Sequence, residues 1–169
     1  MSPVTYGTMT PRDQALGSLA SVFVPLAVLG GAQALGGAVA TQSVWRLGWA
    51  ARGIAISDAL GANLPRNFPV LDKFINGVAT SIKSMDLNAP AYQNIAIITS
   101  RLNSYVDSVA NFSGKTWGGS VVNAAQIVAR QLQLAIPANG ATAVQQLAID
   151  AAALRARGLG VTVIVTSFP

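Results

Sequence analysis

The residue types that most often carry enzyme chemistry are scarce in this chain. Its 169 residues include no histidine and no cysteine, and all six acidic residues are aspartates. Without His or Cys the chain cannot form a Ser-His-Asp triad, a thiolate nucleophile or a zinc site with sulfur ligands. Six scattered aspartates leave little for carboxylate catalysis. The sequence therefore predicts a protein that is not an enzyme, with no catalytic residues, no metal site and no cofactor.

One short motif resembles the end of a phosphate-binding loop. Ser113-Gly114-Lys115-Thr116 has the right residue types, but the position where the loop requires its first glycine is Val109. The surrounding pattern predicts a helix before the motif, whereas a phosphate loop follows a strand. We therefore interpret this segment as a turn between two helices.

Basic residues are the remaining candidates for chemistry. Eight Arg and three Lys against six Asp give a formal net charge of +5. The planar guanidinium of Arg binds phosphate through two parallel hydrogen bonds and tolerates partial burial, although an Arg-rich composition is also typical of a GC-rich genome. Five basic residues in the first 73 positions are predicted to contact nucleic-acid phosphates: Arg12, Arg46, Arg52, Arg66 and Lys73.

The elements that would position these residues begin with an uncharged segment, residues 14–45. It is long enough for a transmembrane helix, which needs about 20 apolar residues. Ala38-Val39-Ala40 also has the small-x-small form of a signal cleavage site. A third interpretation is a helical arm buried in an assembly and bent at Gly30-Gly31 or Gly36-Gly37. The residues alone leave the membrane helix and the buried arm open.

Apolar residues in the rest of the chain recur in steps of three and four, which indicates helices. The four runs cover residues 71–85, 91–112, 121–135 and 144–154. Residues 161–166 are mostly β-branched and predict a short strand that pairs with a copy from another chain or lies extended on a neighbour. The predicted fold is all-α, with a helix-turn-helix arm, a linker, a bundle of about four short helices and a short extended tail. Their ranges are 1–60, 61–69, 70–158 and 159–169.

Three segments carry a resemblance to a known family. They are Thr10-Pro11-Arg12 before the arm, Asn63-Leu64-Pro65-Arg66-Asn67-Phe68-Pro69 before the bundle, and the Asn-, Gln-, Ser- and Thr-rich stretch between residues 71 and 136. The chain resembles the major capsid proteins of rod-shaped and filamentous archaeal double-stranded DNA viruses. The resemblance implies a virion protein that wraps double-stranded DNA, held in A-form, without sequence specificity.

The same resemblance implies how the protein would assemble. Homodimers, or heterodimers with a paralogous capsid protein, would polymerise into a helical nucleocapsid, with the five basic residues facing phosphates. Contact with a membrane is also possible in such a virion. The alternative function is a membrane-inserted pore or virion ejection subunit with residues 17–45 across a bilayer.

Overall fold

A five-stranded sheet lies at the centre of the computed structural model, which describes residues Val24–Pro25 and 43–169. Its strands are β1 (Val24–Pro25), β2 (Lys73–Ile75), β3 (Val78–Ser84), β6 (Ala129–Pro137) and β7 (Val161–Phe168), in the order β1-β7-β6-β3-β2. A separate hairpin is formed by β4 (Gly114–Trp117) and β5 (Ser120–Asn123). The helices are α1 (Trp49–Ala59), α2 (Ile95–Ala110) and α3 (Ala143–Gly158), with short 3-10 helices at Val44–Arg46, Pro90–Gln93 and Ala124–Gln126.

The three inner strands are parallel, and helices connect them. α2 lies in the connection from β3 to β6, and α3 connects β6 to β7, as parallel strands require a crossover. Side chains alternate between the two faces of a strand. Leu134 and Ile136 of β6 therefore pack against α2 and α3, while Ala135 packs with Ile56 of α1. The sheet is thus covered by α2 and α3 on one face and by α1 on the other.

The prediction of an all-α fold is wrong. Residues 71–85 form the β2–β3 hairpin, whose turn is Asn76-Gly77 with φ of 50° and 78°. Both residues adopt the left-handed backbone that a two-residue hairpin turn needs. The steps of three and four run across the Asn76-Gly77 turn, and the one step that lies within β3, from Val78 to Ile82, keeps one face of a strand as well as of a helix.

Two further segments differ from the prediction. Residues 121–135 cover the end of β5, the 3-10 helix at Ala124–Gln126 and most of β6 instead of one long helix. The phosphate-loop-like motif lies mostly in β4 instead of a turn between helices. The strand predicted for residues 161–166 is confirmed as β7. It pairs in parallel with β6 of the same chain, so the expectation of a tail that needs another chain is wrong.

The helices predicted over residues 91–112 and 144–154 are confirmed as α2 and α3. Most of the uncharged segment, and Arg12, lie outside the described residues. The helix-turn-helix arm therefore cannot be placed, and the domain boundaries at residues 60 and 69 stay predictions. Across Val24–Pro25 and 43–169, no helix is both long and apolar enough to cross a membrane.

Candidate functional site

A cleft of about 980 Å³ opens at the side of the sheet where β2 begins and β3 ends. Its walls come from α1, from the segment between α1 and β2, from β3, and from the 3-10 helix and α2 that follow β3. Six charged side chains line it: Arg52, Asp58, Arg66, Asp72, Lys83 and Arg101. Four of the six are cationic, so the cleft suits an anionic ligand.

Asp72 and Lys83 meet in this cleft although eleven positions separate them in the sequence. Asp72 directly precedes β2, and its Oδ2 accepts a hydrogen bond from the backbone N–H of Ile82 at 2.7 Å. The same oxygen lies 3.5 Å from Nζ of Lys83 on β3. The two side chains are 28% and 31% exposed, so the pair is held by the sheet and still open to a ligand.

The backbone just before Asp72 is strained. Val70 has a φ of 70°, and Leu71 N–H donates to the Pro69 carbonyl at 2.8 Å, which closes a three-residue turn around Val70. A β-branched residue in this left-handed region costs about 1–3 kcal/mol and persists only when neighbours hold it. Ser81 supplies one such restraint, because its Oγ donates to the Val70 carbonyl at 2.6 Å. Backbone strain of this kind concentrates at functional sites.

The α2 side of the cleft carries an oriented guanidinium. Arg101 lies over the Tyr92 ring, with Cζ 5.8 Å from the ring centroid. A hydrogen bond with Tyr105 raises the pKa of Arg101 above its ordinary value, so this cation stays charged. Burial raises the pKa of Tyr92 above its ordinary 10, so its phenol stays neutral. This wall therefore offers a fixed positive charge and a hydrogen-bond donor to an anion.

The opposite wall contains two more arginines. Arg66 pairs with Asp58 at 3.1 Å, and both side chains are largely exposed. Arg52 lies 3.6 Å from Asp86 and stacks over Trp45 at 5.5 Å. Its Nε is buried and has no hydrogen-bond partner within the part of the chain that the structure describes. The guanidinium of Arg52 therefore adds a partly buried positive charge to this wall of the cleft.

The structure brings two of the five predicted phosphate-binding residues to this cleft, namely Arg52 and Arg66. Lys73 instead donates from Nζ to the Leu60 carbonyl at 3.0 Å and does not line the cleft. Arg46 is exposed on the 3-10 helix before α1 and also lies outside the cleft wall. Whether any of them binds nucleic acid stays a prediction.

Sequence reasoning missed three residues of the site: Asp72, Lys83 and Arg101. Asp72 was not selected, because the six aspartates are scattered along the sequence and residues 71–85 were expected to form a helix. The Asn-Gly pair between two β-branched stretches was the available signal, since it is a strong indicator of a hairpin. A hairpin there would have placed Asp72 beside β3.

The oxygen donors of the cleft suit one kind of metal site. Within Val24–Pro25 and residues 43–169, no group of three or more His, Cys, Asp or Glu residues could hold an ion together. Oδ2 of Asp72 already has two partners, whereas Oδ1 faces no donor recorded among the described residues. A hard cation such as Mg²⁺ is often held by one or two carboxylates, with water and substrate phosphate completing its ligands. Asp72 fits that pattern, and the expected absence of a metal site stays untested.

Comparison with known proteins identifies the family of this chain. A family model described as the CDI toxin restriction endonuclease-like domain matches residues 52–166, which include every charged residue of the cleft. The chain belongs to this toxin family. CDI stands for contact-dependent inhibition.

Two relatives and one solved structure agree with this assignment. The toxin domain is 32% identical over 110 residues to "Deoxyribonuclease CdiA" of Yersinia pseudotuberculosis serotype O:3 (strain YPIII). The match covers 63% of the chain and 10% of that protein. The domain is 31% identical over 131 residues to "Deoxyribonuclease CdiA-o11" of Escherichia coli O157:H7 (strain EC869). This match covers 72% of the chain and 34% of that protein. The domain therefore spans about a tenth and about a third of the lengths of these relatives.

The solved structure is a "CdiA-CT/CdiI toxin and immunity complex from Yersinia pseudotuberculosis". It matches with a TM-score of 0.56 and 27% identity, over 73% of this chain and all of that one.

These findings overturn several predictions. The capsid resemblance is wrong, and so are the virion location, the helical polymer and the membrane pore. The prediction that the chain is not an enzyme is also wrong, because both relatives are named deoxyribonucleases. The physical error lay in the exclusion argument. Absence of His, Cys and Glu removes triads and thiolates, but phosphodiester hydrolysis can proceed with an aspartate, a lysine and a cation.

Proposed function

We propose that this toxin domain hydrolyses DNA phosphodiester bonds in the cleft that holds Asp72 and Lys83. The observation that carries the proposal is the 3.5 Å approach of these side chains, held by two neighbouring strands, in a cleft with three arginines. The names of the two relatives support DNA as the substrate.

The arginines bind and orient the DNA strand. Arg101 is already oriented by Tyr105 and Tyr92, so little conformational entropy is lost when it binds a phosphate. Arg52 adds a second positive charge near the phosphate from the opposite wall. Arg66 is tied to Asp58 only by an exposed pair, which is weak enough to be exchanged for a phosphate.

Lys83 and Asp72 act on the scissile phosphate itself. The Lys83 ammonium stabilises the negative charge that grows on the phosphate oxygens in the transition state. Asp72, whose orientation is fixed by the Ile82 N–H, orients the attacking water through its remaining oxygen. A divalent cation held by Asp72 would supply Lewis-acid stabilisation of the phosphate.

The biological setting follows from the family. We propose that the domain acts as a toxin inside target cells, and that its protein partner is a dedicated immunity protein, as in the solved toxin and immunity complex. The basic cleft predicts that this partner carries an acidic surface, because complementary charge speeds association. Co-expression with the matching immunity protein should restore growth of cells that make the toxin domain.

The nuclease proposal is tested with Asp72→Asn and Lys83→Gln in a plasmid-nicking assay with added Mg²⁺. We expect each change to lower the cleavage rate about 100-fold or more, as for loss of a water-orienting carboxylate or of a charge that stabilises the transition state. Asp107→Asn is the matched control, because Asp107 pairs with Arg155 at the surface and does not line the cleft. Circular dichroism verifies folding. The proposal fails if folded Asp72→Asn and Lys83→Gln both cleave as fast as the control.

A further inference from the structure

Trp49 is an exposed aromatic residue in the wall of the cleft. It is the first residue of α1, it lines the cleft, and it is 82% exposed. Among the residues that the structure describes, no hydrogen bond or ring contact involves its indole. Trp45 differs, because its Nε1 donates to the Phe168 carbonyl at 3.1 Å and Arg52 stacks on its ring. Trp45 therefore stabilises the fold, whereas the indole of Trp49 is free to contact a ligand.

Gly53 lies one turn after Trp49 on the same face of α1 and also lines the cleft. Glycine inside a helix is less favourable than alanine, so its presence there needs a reason. A Cβ at this position would meet nothing within 4 Å, which means that packing between described residues does not demand a glycine. The open space belongs to the cleft. An absent side chain there lets a ligand approach the helix backbone closely.

We propose that Trp49 and Gly53 form a subsite for one unpaired nucleobase of the DNA strand, which rests on the proposed nuclease function. The base stacks on the Trp49 indole, and its sugar lies against the helix backbone at Gly53. Base–aromatic stacking tolerates any sequence because every base has a π-face. Arg52 and Arg66, in the same cleft, neutralise the phosphates on either side of the stacked nucleotide.

This subsite sets the substrate class. A base in an intact duplex already stacks on both neighbours, so its face reaches Trp49 only when it is unpaired or displaced from the stack. The favoured substrate is therefore single-stranded DNA, or a duplex that is opened locally, and intact duplex is cleaved more slowly.

The test compares cleavage of a 20-nucleotide single strand, its intact duplex, and the same duplex with one bulged base. We expect Trp49→Ala to lower kcat/KM on the single strand and on the bulged duplex by about tenfold or more, as typical stacking energies imply. Trp49→Phe should keep most of the activity, because the smaller ring still stacks. Intact duplex should be the poorest substrate of the wild-type domain.

Gly53→Ala separates a binding role from a structural one. The change should raise the thermal unfolding midpoint by about 2–4 °C, since alanine favours the helix, while lowering kcat/KM on the single strand. Gly158→Ala is the matched control. It ends α3, its Cβ would also meet nothing within 4 Å, and it does not line the cleft, so its activity should equal that of the wild type.

The outcomes distinguish the two proposals. If Asp72→Asn abolishes cleavage while Trp49→Ala and Gly53→Ala leave kcat/KM unchanged on all three substrates, the subsite is refuted and the nuclease stands. If wild type cleaves intact duplex as well as the single strand, the assigned substrate class is wrong. If Asp72→Asn cleaves normally, the nuclease site itself is misplaced.

Discussion

Gln145 is a buried polar side chain that connects α3 to the wall of the cleft. It is 5% exposed, and its Nε2 donates to the carbonyls of Leu87 and Tyr92, both at 3.0 Å. Its Oε1 accepts from Thr142 N–H at 2.9 Å in a capping box. We predict that Gln145→Met, which keeps the volume but removes these bonds, destabilises the domain.

The expected loss of stability depends on whether each group that Gln145 bonds can find another partner. The Leu87 carbonyl keeps a second donor, Gln93 Nε2 at 3.0 Å, and exposed Thr142 can bond to water instead. The Tyr92 carbonyl loses its Gln145 donor in a partly buried position. A net hydrogen bond contributes about 1 kcal/mol, and a buried polar group left unpaired costs about 1–3 kcal/mol. We therefore expect a loss of about 2–4 kcal/mol in the free energy of unfolding.

The assay is urea denaturation followed by circular dichroism, with Gln146→Met as the matched control. Gln146 is the next residue and the same amino acid, but its side chain bonds Asp150 at the surface, at 2.8 Å. The control should change stability by less than about 0.5 kcal/mol. If Gln145→Met costs no more than Gln146→Met, the assignment of stability to this buried amide is wrong.

Two further predictions concern the hairpin turn and alkaline stability. Gly77→Ala should lower the free energy of unfolding by about 2–4 kcal/mol, because a Cβ there would lie 2.8 Å from Val128 Cγ2 on a backbone with φ of 78°. Gly140→Ala, with φ of 77° and open space around it, should cost only about 1 kcal/mol in the same urea titration. Since burial raises the pKa of Tyr92, the native state keeps a proton that the unfolded chain releases above pH 10. The stability that depends on this proton is complete below pH 10 and is lost as the pH rises further. Tyr92→Phe has no phenol to ionise, so its free energy of unfolding should fall less steeply above pH 10. Equal alkaline slopes for wild type and variant would contradict that assignment.

Local sequence patterns predicted the elements that are regular over many residues. The long apolar periodicity of α2 and the β-branched run of β7 both appear in the structure. In α3 the helix was predicted but its buried face was not. Val144, Leu147 and Leu154, the expected core seam, are 60–68% exposed, and smaller residues such as Ala152 face the sheet instead. Close packing on α2 and β7 favours small side chains there, which a search for large apolar residues overlooks.

The site could be predicted only in part. Arg52 and Arg66 were selected because arginines near apolar sequence are suited to phosphate, and both line the cleft. Asp72 and Lys83 were missed because their contact depends on the hairpin. On a helix, eleven residues separate two side chains by about 16 Å along the axis, whereas across the β2–β3 hairpin they approach to 3.5 Å. Because residues 71–85 were predicted to be a helix instead of a hairpin, the contact between these two residues was missed.

The position of β7 has a consequence for how the domain matures. This strand is the last element along the sequence, yet it lies inside the sheet, between β1 and β6. At synthesis rates of about 5–20 residues per second, β6 leaves the ribosome seconds before its neighbour β7. Until then the edge of β6 that pairs with β7 has unpaired backbone N–H and C=O groups. The central sheet of a nascent chain is therefore complete only after β7 has inserted beside β6.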